Sequence, residues 1–345
     1  MVRRWTTRTT RPFNPPAVST TLLRSLESRF AFRAAVAWYA MVLALGLKRF
    51  LVWDQILVLR DADFIGVFHD LHPHALRWLI MQPAMVFDHF GYDPHTAFTL
   101  WCLLLTVGCA YLLARAGALF LPGREDALRV WTFIPLALLT LTMNGRLIPA
   151  FFGLALLIVL HVEQAGGKSR PWGWFIAGQL VALLAMGVSS GSFAVGAIAC
   201  AGAWVGLAVQ QWRRTVRRST LLAALGVGLL LLAALVAAFA RKALHFFGGD
   251  PLAVLGHGAG ALVLPYGPVV ALSLVALVCA FALAATVWLR WPGGPGLHVR
   301  LPIAASVICG LCGWSTLVTA LPAAVLLAAL VCARQPAQAV NQPAG

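Results

Sequence analysis

The chain has 345 residues, 61% of them hydrophobic and 11% charged, with a mean hydropathy of +0.84. Globular proteins carry roughly 25% charged residues, so too little polar surface remains for a soluble fold of this length. The net charge of +15 follows the distribution of cations along a membrane topology and calls for no nucleic-acid partner.

Residues 1–32 are rich in Arg and Thr, with Glu27 their only acid. No short apolar core precedes a small-residue cleavage site, so the segment reads as a basic cytoplasmic tail rather than a secretory signal. An organellar transit peptide shares that composition.

Apolar runs of about 20 residues, the length that crosses ~30 Å of hydrocarbon, then succeed one another. They cover 34–53, 97–120, 128–143, 147–162, 172–188, 192–209, 221–240, 264–289, 301–314 and 316–333. The expected fold is therefore all-α, a polytopic integral membrane protein of about ten transmembrane helices. A transmembrane domain of 33–334 would be followed by a polar tail, 335–345. Threading the spans from a cytoplasmic N-terminus puts 19 of the 26 Lys and Arg on the cytoplasmic side. The other seven, Lys48, Arg49, Arg60, Arg77, Arg146, Arg241 and Lys242, fall outside. This is the positive-inside bias, and it predicts that both termini are cytoplasmic.

Two outer connections are long enough to hold structure. Residues 54–96, between the first two spans, carry six of the eleven acids and five of the nine histidines. Within them, residues 75–87 read ALRWLIMQPAMVF, too short to span and interrupted by Pro83, which predicts an interfacial or re-entrant helix. The second, 241–263, contains Gly248, Gly249, Asp250, Pro251 and His257 and reads as a turn-rich loop. Of the shorter connections, 122–127, 164–171 and 291–300 read as cytoplasmic turns bearing Gly or Pro. Residues 188–192 form a tight hairpin whose serine hydroxyls satisfy helix ends.

The candidate site lies on the outer side. Asp61 and Asp63 stand two residues apart beside Arg60. Such a pair shares a cation, or one member acts as a base while the other tunes it; a solvated loop in which Arg60 pairs an Asp has the same sequence. His69, Asp70, His72 and His74 surround Pro73 at a spacing that matches no standard zinc site. His69 and His72 are accordingly read as contacts to headgroups or substrate phosphates, with no metal. Arg146 sits at the mouth of an outer hairpin, where a guanidinium suits a lipid phosphate or a diphosphate substrate. Arg241, Lys242 and His245 offer a second phosphate contact or an interfacial anchor. The seven cysteines lie in or beside apolar runs and read as small packing residues.

Together these residues resemble the EpsG-type branch of the Wzy-like bacterial polysaccharide polymerases. The likeness rests on Asp61-x-Asp63-Phe64 with Phe68 in an outer loop, then a span. Arg146 then opens an apolar helix, followed by the charged turn 161–170 and a span ending in a hairpin. It covers roughly 54–200, and the hairpin, Gly187-Val188-Ser189-Ser190, lacks the histidine of the family pattern. The resemblance implies a glycosyltransferase joining polyprenyl-diphosphate-linked oligosaccharides on the exoplasmic face of the bacterial inner membrane. Asp61 or Asp63 would deprotonate the acceptor hydroxyl, and Arg60, Arg77, Arg146 and Arg241 would hold the diphosphate. The lipid bilayer and other polysaccharide-assembly proteins are the expected partners, and no cofactor is implied. Two other readings remain: a transporter or flippase for an anionic lipid or polysaccharide, and a non-catalytic membrane subunit of a synthesis or secretion complex.

Overall fold

A computed structural model describes residues 75–120, 147–165, 171–212, 218–254 and 297–310, with isolated positions at 33, 37, 279, 316, 319, 320, 323, 324 and 327. All the regular structure among them is helical. We number the helices α1 (Ala75–His89), α2 (Pro94–Phe120), α3 (Ile148–Ala165), α4 (Trp172–Met186), α5 (Ser190–Trp212), α6 (Arg218–Phe246) and α7 (Leu297–Cys309). Of these, α5 over Ser190–Val209 and α6 over Gly226–Phe246 are long and apolar enough to cross a membrane. Residues 34–36, 38–53, 128–143, 264–278, 280–289 and 311–314 of the expected spans, and most of 316–333, lie outside the described residues.

Local chemistry fixes the helix ends. Asp93 caps α2: its Oδ1 accepts the Thr96 N–H at 3.1 Å, its Oδ2 bonds the Thr96 hydroxyl, and Pro94 fills the first helical position. The hairpin between α4 and α5 is built as its serines suggest. Ser189 Oγ accepts the Ser192 N–H at 3.1 Å, and Ser192 Oγ continues the chain to Thr319 at 2.7 Å. Helix α6 ends in a tight reversal in which the Gly249 N–H donates to the Ala243 carbonyl at 3.0 Å. That reversal requires the positive φ values of Gly248 and Gly249. Buried hydroxyls inside the apolar helices bond back one turn, Thr106 to the Cys102 carbonyl and Ser306 to that of Pro302.

Close contacts give the helix directions. Gly153 packs on Ala182 and Gly178 on Leu160, so α3 and α4 run antiparallel. Gly108 meets Phe152 while Arg115 meets Glu163, so α2 and α3 run in the same direction. Helices α5 and α7 cross most closely. A Cβ on Gly206 would lie 2.5 Å from the Cα of His298, and one on Gly202 would lie 3.4 Å from the Leu301 carbonyl carbon. The pair forms a Gly-x-x-x-Gly step that lets two backbones touch.

The main core joins α1, α2, α3, the end of α4, α5 and α7 around Phe98, Phe151, Met81 and Leu154. A smaller cluster, with Leu160, Phe175, Trp204 and Leu231, links α3, α4, α5 and α6. Helix α6 is the least enclosed element: only 12% of its apolar window is buried, and Leu230 is 71% exposed. A helix apolar on every side and left uncovered matches an apolar solvent better than water.

Two expectations change. The turn-rich loop begins later than its composition suggests, because α6 continues to Phe246 and takes in Arg241, Lys242 and His245. Likewise 161–165 is the last turn of α3 rather than a cytoplasmic turn, with His161 and Glu163 buried in the bundle. In both places polar residues extend an apolar helix because neighbouring helices supply partners or cover.

Candidate functional site

The bundle carries polar groups at two ends. One end holds the hairpin between α4 and α5, the first turn of α1 and the last turns of α6; we call it the hairpin end. Arg77 on α1 is 7% exposed, and its Nε donates to the Val188 carbonyl at 2.8 Å. One residue earlier, Leu76 lies against Gly187. The Asp- and His-rich stretch therefore ends in a helix docked on this hairpin. Pro83 lies inside that helix; its missing N–H leaves the Leu79 carbonyl without the usual helical donor, and the helix nonetheless continues to His89. Lys242 on α6 is half-buried and within electrostatic range of Arg77, so cations from two helices converge at this end. Arg241 is half-buried beside it on the same helix.

Of the sequence-derived site residues, Arg77 on α1 and Arg241, Lys242 and His245 on α6 are those whose positions are described. Arg60, Asp61, Asp63, His69, His72 and Arg146 lie outside the described residues. Among the described residues no group of three or more His, Cys, Asp or Glu could hold a metal ion. Cys102, Cys109, Cys200 and Cys309 are buried and none is in a disulfide, while Cys279 is exposed.

The opposite end holds a second polar set that composition did not single out. The carboxylate of Glu163, 2% exposed, pairs with the guanidinium of Arg115 on α2, which also donates to the Tyr111 hydroxyl at 3.0 Å. Two residues before it, roughly 200° around the helix, His161 faces away from α2. Gln179 of α4 lies 3.2 Å from His161 Nε2, and the Trp204 indole N–H of α5 donates to Gln179 Oε1 at 3.1 Å. Phe175 presents its ring edge-on to His161, with centroids 5.2 Å apart. Four helices thus share one buried polar knot and one buried ion pair.

Two features of the sequence hide these residues. Arg115 falls among the cytoplasmic cations of the expected topology, and His161 and Glu163 fall in the charged turn that the resemblance implies. The available signal was an ionisable side chain at the end of an apolar run, with candidate partners near the ends of two other runs. Gln179 lies well inside the expected span 172–188 and His161 at the end of the span 147–162.

Comparison with family models, curated proteins and solved structures gives no match to this chain.

Proposed function

We propose that the chain is a polytopic helical protein of the bacterial inner membrane, with about ten spans and both termini cytoplasmic. In this reading it joins polyprenyl-diphosphate-linked sugars on the exoplasmic face. The single observation that supports it best is the docking of Arg77 on the α4–α5 hairpin, near the cationic end of α6. That contact ties the stretch richest in Asp and His to an end of the bundle where cations gather, an arrangement suited to a diphosphate.

In this mechanism Asp61 or Asp63 removes the proton of the acceptor hydroxyl as the sugar carbon is attacked. Arg146, with Arg60, Arg77 or Arg241, stabilises the departing diphosphate as its negative charge grows, through charge-assisted hydrogen bonds that are stronger than neutral ones. His69 and His72 contact phosphate oxygens at the membrane surface. The donor arrives on a lipid, so the reaction needs no nucleotide-binding fold.

The test is polymer formation in cells carrying Asp63→Asn or Arg146→Ala, with the protein quantified in membranes. Each change should lower the rate by about two to three decades, the effect of losing ~2–4 kcal/mol of transition-state stabilisation. Arg146→Lys should rescue poorly, because an ammonium lacks the planar two-oxygen contact. Unchanged polymer in both variants would overturn the reading.

A transporter or flippase for an anionic lipid or polysaccharide is the second reading, favoured by the buried Arg115–Glu163 pair. Ionisable groups within membrane helices mark substrate and ion pathways. It predicts that Arg115→Leu with Glu163→Leu abolishes substrate movement in vesicles while Asp63→Asn leaves it intact.

A further inference from the structure

The polar knot at the end remote from the hairpin has a direction. An indole N–H can only donate, so the Trp204 contact fixes the Gln179 carbonyl oxygen towards α5. The amide nitrogen of Gln179 then faces His161 Nε2 and donates to it. Because Nε2 accepts, the ring proton of His161 resides on Nδ1. That nitrogen is buried and has no hydrogen-bond partner among the described residues. Burying such a donor unpaired is unfavourable, and a Leu or Phe at the same place, in a chain so rich in both, would avoid the cost.

The surroundings narrow what could meet that N–H. Phe175 lies edge-on to the ring, and Phe175 in turn belongs to an apolar cluster with Leu160, Leu183, Trp204 and Leu231. His298 approaches from α7, held close by Gly206. Helix α6 covers this cluster through Leu231 and Val227, and a Cβ on Gly226 or Gly228 would meet nothing within 4 Å. Among the described residues, the knot is therefore screened on the α6 side by that sparsely packed helix. A ligand with a long apolar body and one oxygen matches a single N–H donor set among apolar side chains.

The geometry points to a lipid-binding site at His161, in which the Nδ1–H donates to the oxygen of an uncharged lipid, an alcohol or an ester carbonyl, admitted past α6. The site rests on the bundle lying in a bilayer and is independent of any chemistry at the hairpin end.

The test uses the full chain with 15N-labelled histidine in phosphatidylcholine nanodiscs, His161 being assigned by loss of its signal in His161→Gln or His161→Phe. Farnesol is titrated as the alcohol and squalene as a hydrocarbon without oxygen. The expected result is an Nδ1-protonated ring whose signal shifts saturably with farnesol and not with squalene. If it is already shifted before farnesol, replacing the ester-linked lipid by an ether-linked one should remove that shift, which assigns the oxygen to the bilayer lipid. In Leu231→Trp, which fills the approach from α6, half-saturation should need about tenfold more alcohol. A proton on Nε2, an equal response to squalene, or an Nδ1–H that exchanges with water regardless of lipid and alcohol overturns the site. A chain that stays in aqueous solution without lipid or detergent overturns the membrane reading as well.

Discussion

Arg115 of α2 and Glu163 of α3 form an ion pair inside the bundle, between two helices that run in the same direction. Removing one member strands the other's charge in a low-dielectric interior, whereas removing both leaves only packing to repair. Glu163→Leu should therefore destabilise the protein by about 3–5 kcal/mol. Arg115→Leu with Glu163→Leu should recover most of that loss. Thermal unfolding in detergent micelles checks both, and a double variant as unstable as the single one would contradict the expectation.

Gly206 and Gly226 should respond oppositely to the same change. A methyl group at Gly206 meets the His298 backbone at 2.5–2.6 Å, and backbone cannot step aside as a flexible side chain can. Gly206→Ala should lower stability by about 1–3 kcal/mol. Gly226→Ala meets nothing within 4 Å and should be neutral, or stabilising by up to ~1 kcal/mol through helix propensity. Paired melting curves of the two variants decide it.

Ser189 caps α5 and feeds the hydroxyl chain through Ser192 to Thr319. Ser189→Ala should cost about 1 kcal/mol, while Ser189→Asp should retain the cap. Hydrogen exchange of the first α5 amides gives the local readout: faster exchange in the Ala variant and near wild-type rates in the Asp variant.

The end of α3 at Ala165 and the end of α6 at Phe246 lie at opposite ends of the bundle, as the helix directions and the Arg77–Lys242 proximity require. Reporter fusions at Gly166 and Gly248 should accordingly report opposite faces of the membrane. Both reporters on one face would remove the proposed topology.

The apolar runs in the sequence located six of the seven described helices because each element is apolar enough to form regardless of its neighbours. The run 172–188 became α4 with its end moved by two residues, since the Gly187 N–H closes the last turn onto Leu183 and Leu184. The helix at 75–87 was legible from length alone, despite Pro83. What hydropathy could not give was the pairing of distant polar residues. Glu163 looks like a turn residue until Arg115 is brought beside it, and His161 does so until Gln179 and Trp204 are in place. The Gly202-x-x-x-Gly206 spacing was readable in advance, but its partner, a backbone about ninety residues later, was not. Of the candidate site, Arg77 illustrates the limit: its charge was legible, its bond to the Val188 carbonyl was not.

The crossing of α5 on α7 also has a consequence for biogenesis. Gly206 leaves the ribosome about ninety residues before Leu297, an interval of roughly 5–20 s at ordinary elongation rates. Throughout it the glycine face of α5 lacks the α7 backbone that it packs against in the finished bundle. The tightest helix contact described here is therefore a late event of synthesis. Truncation before α7 should leave α5 inserted but with an open groove, and that species is the one membrane quality control would meet.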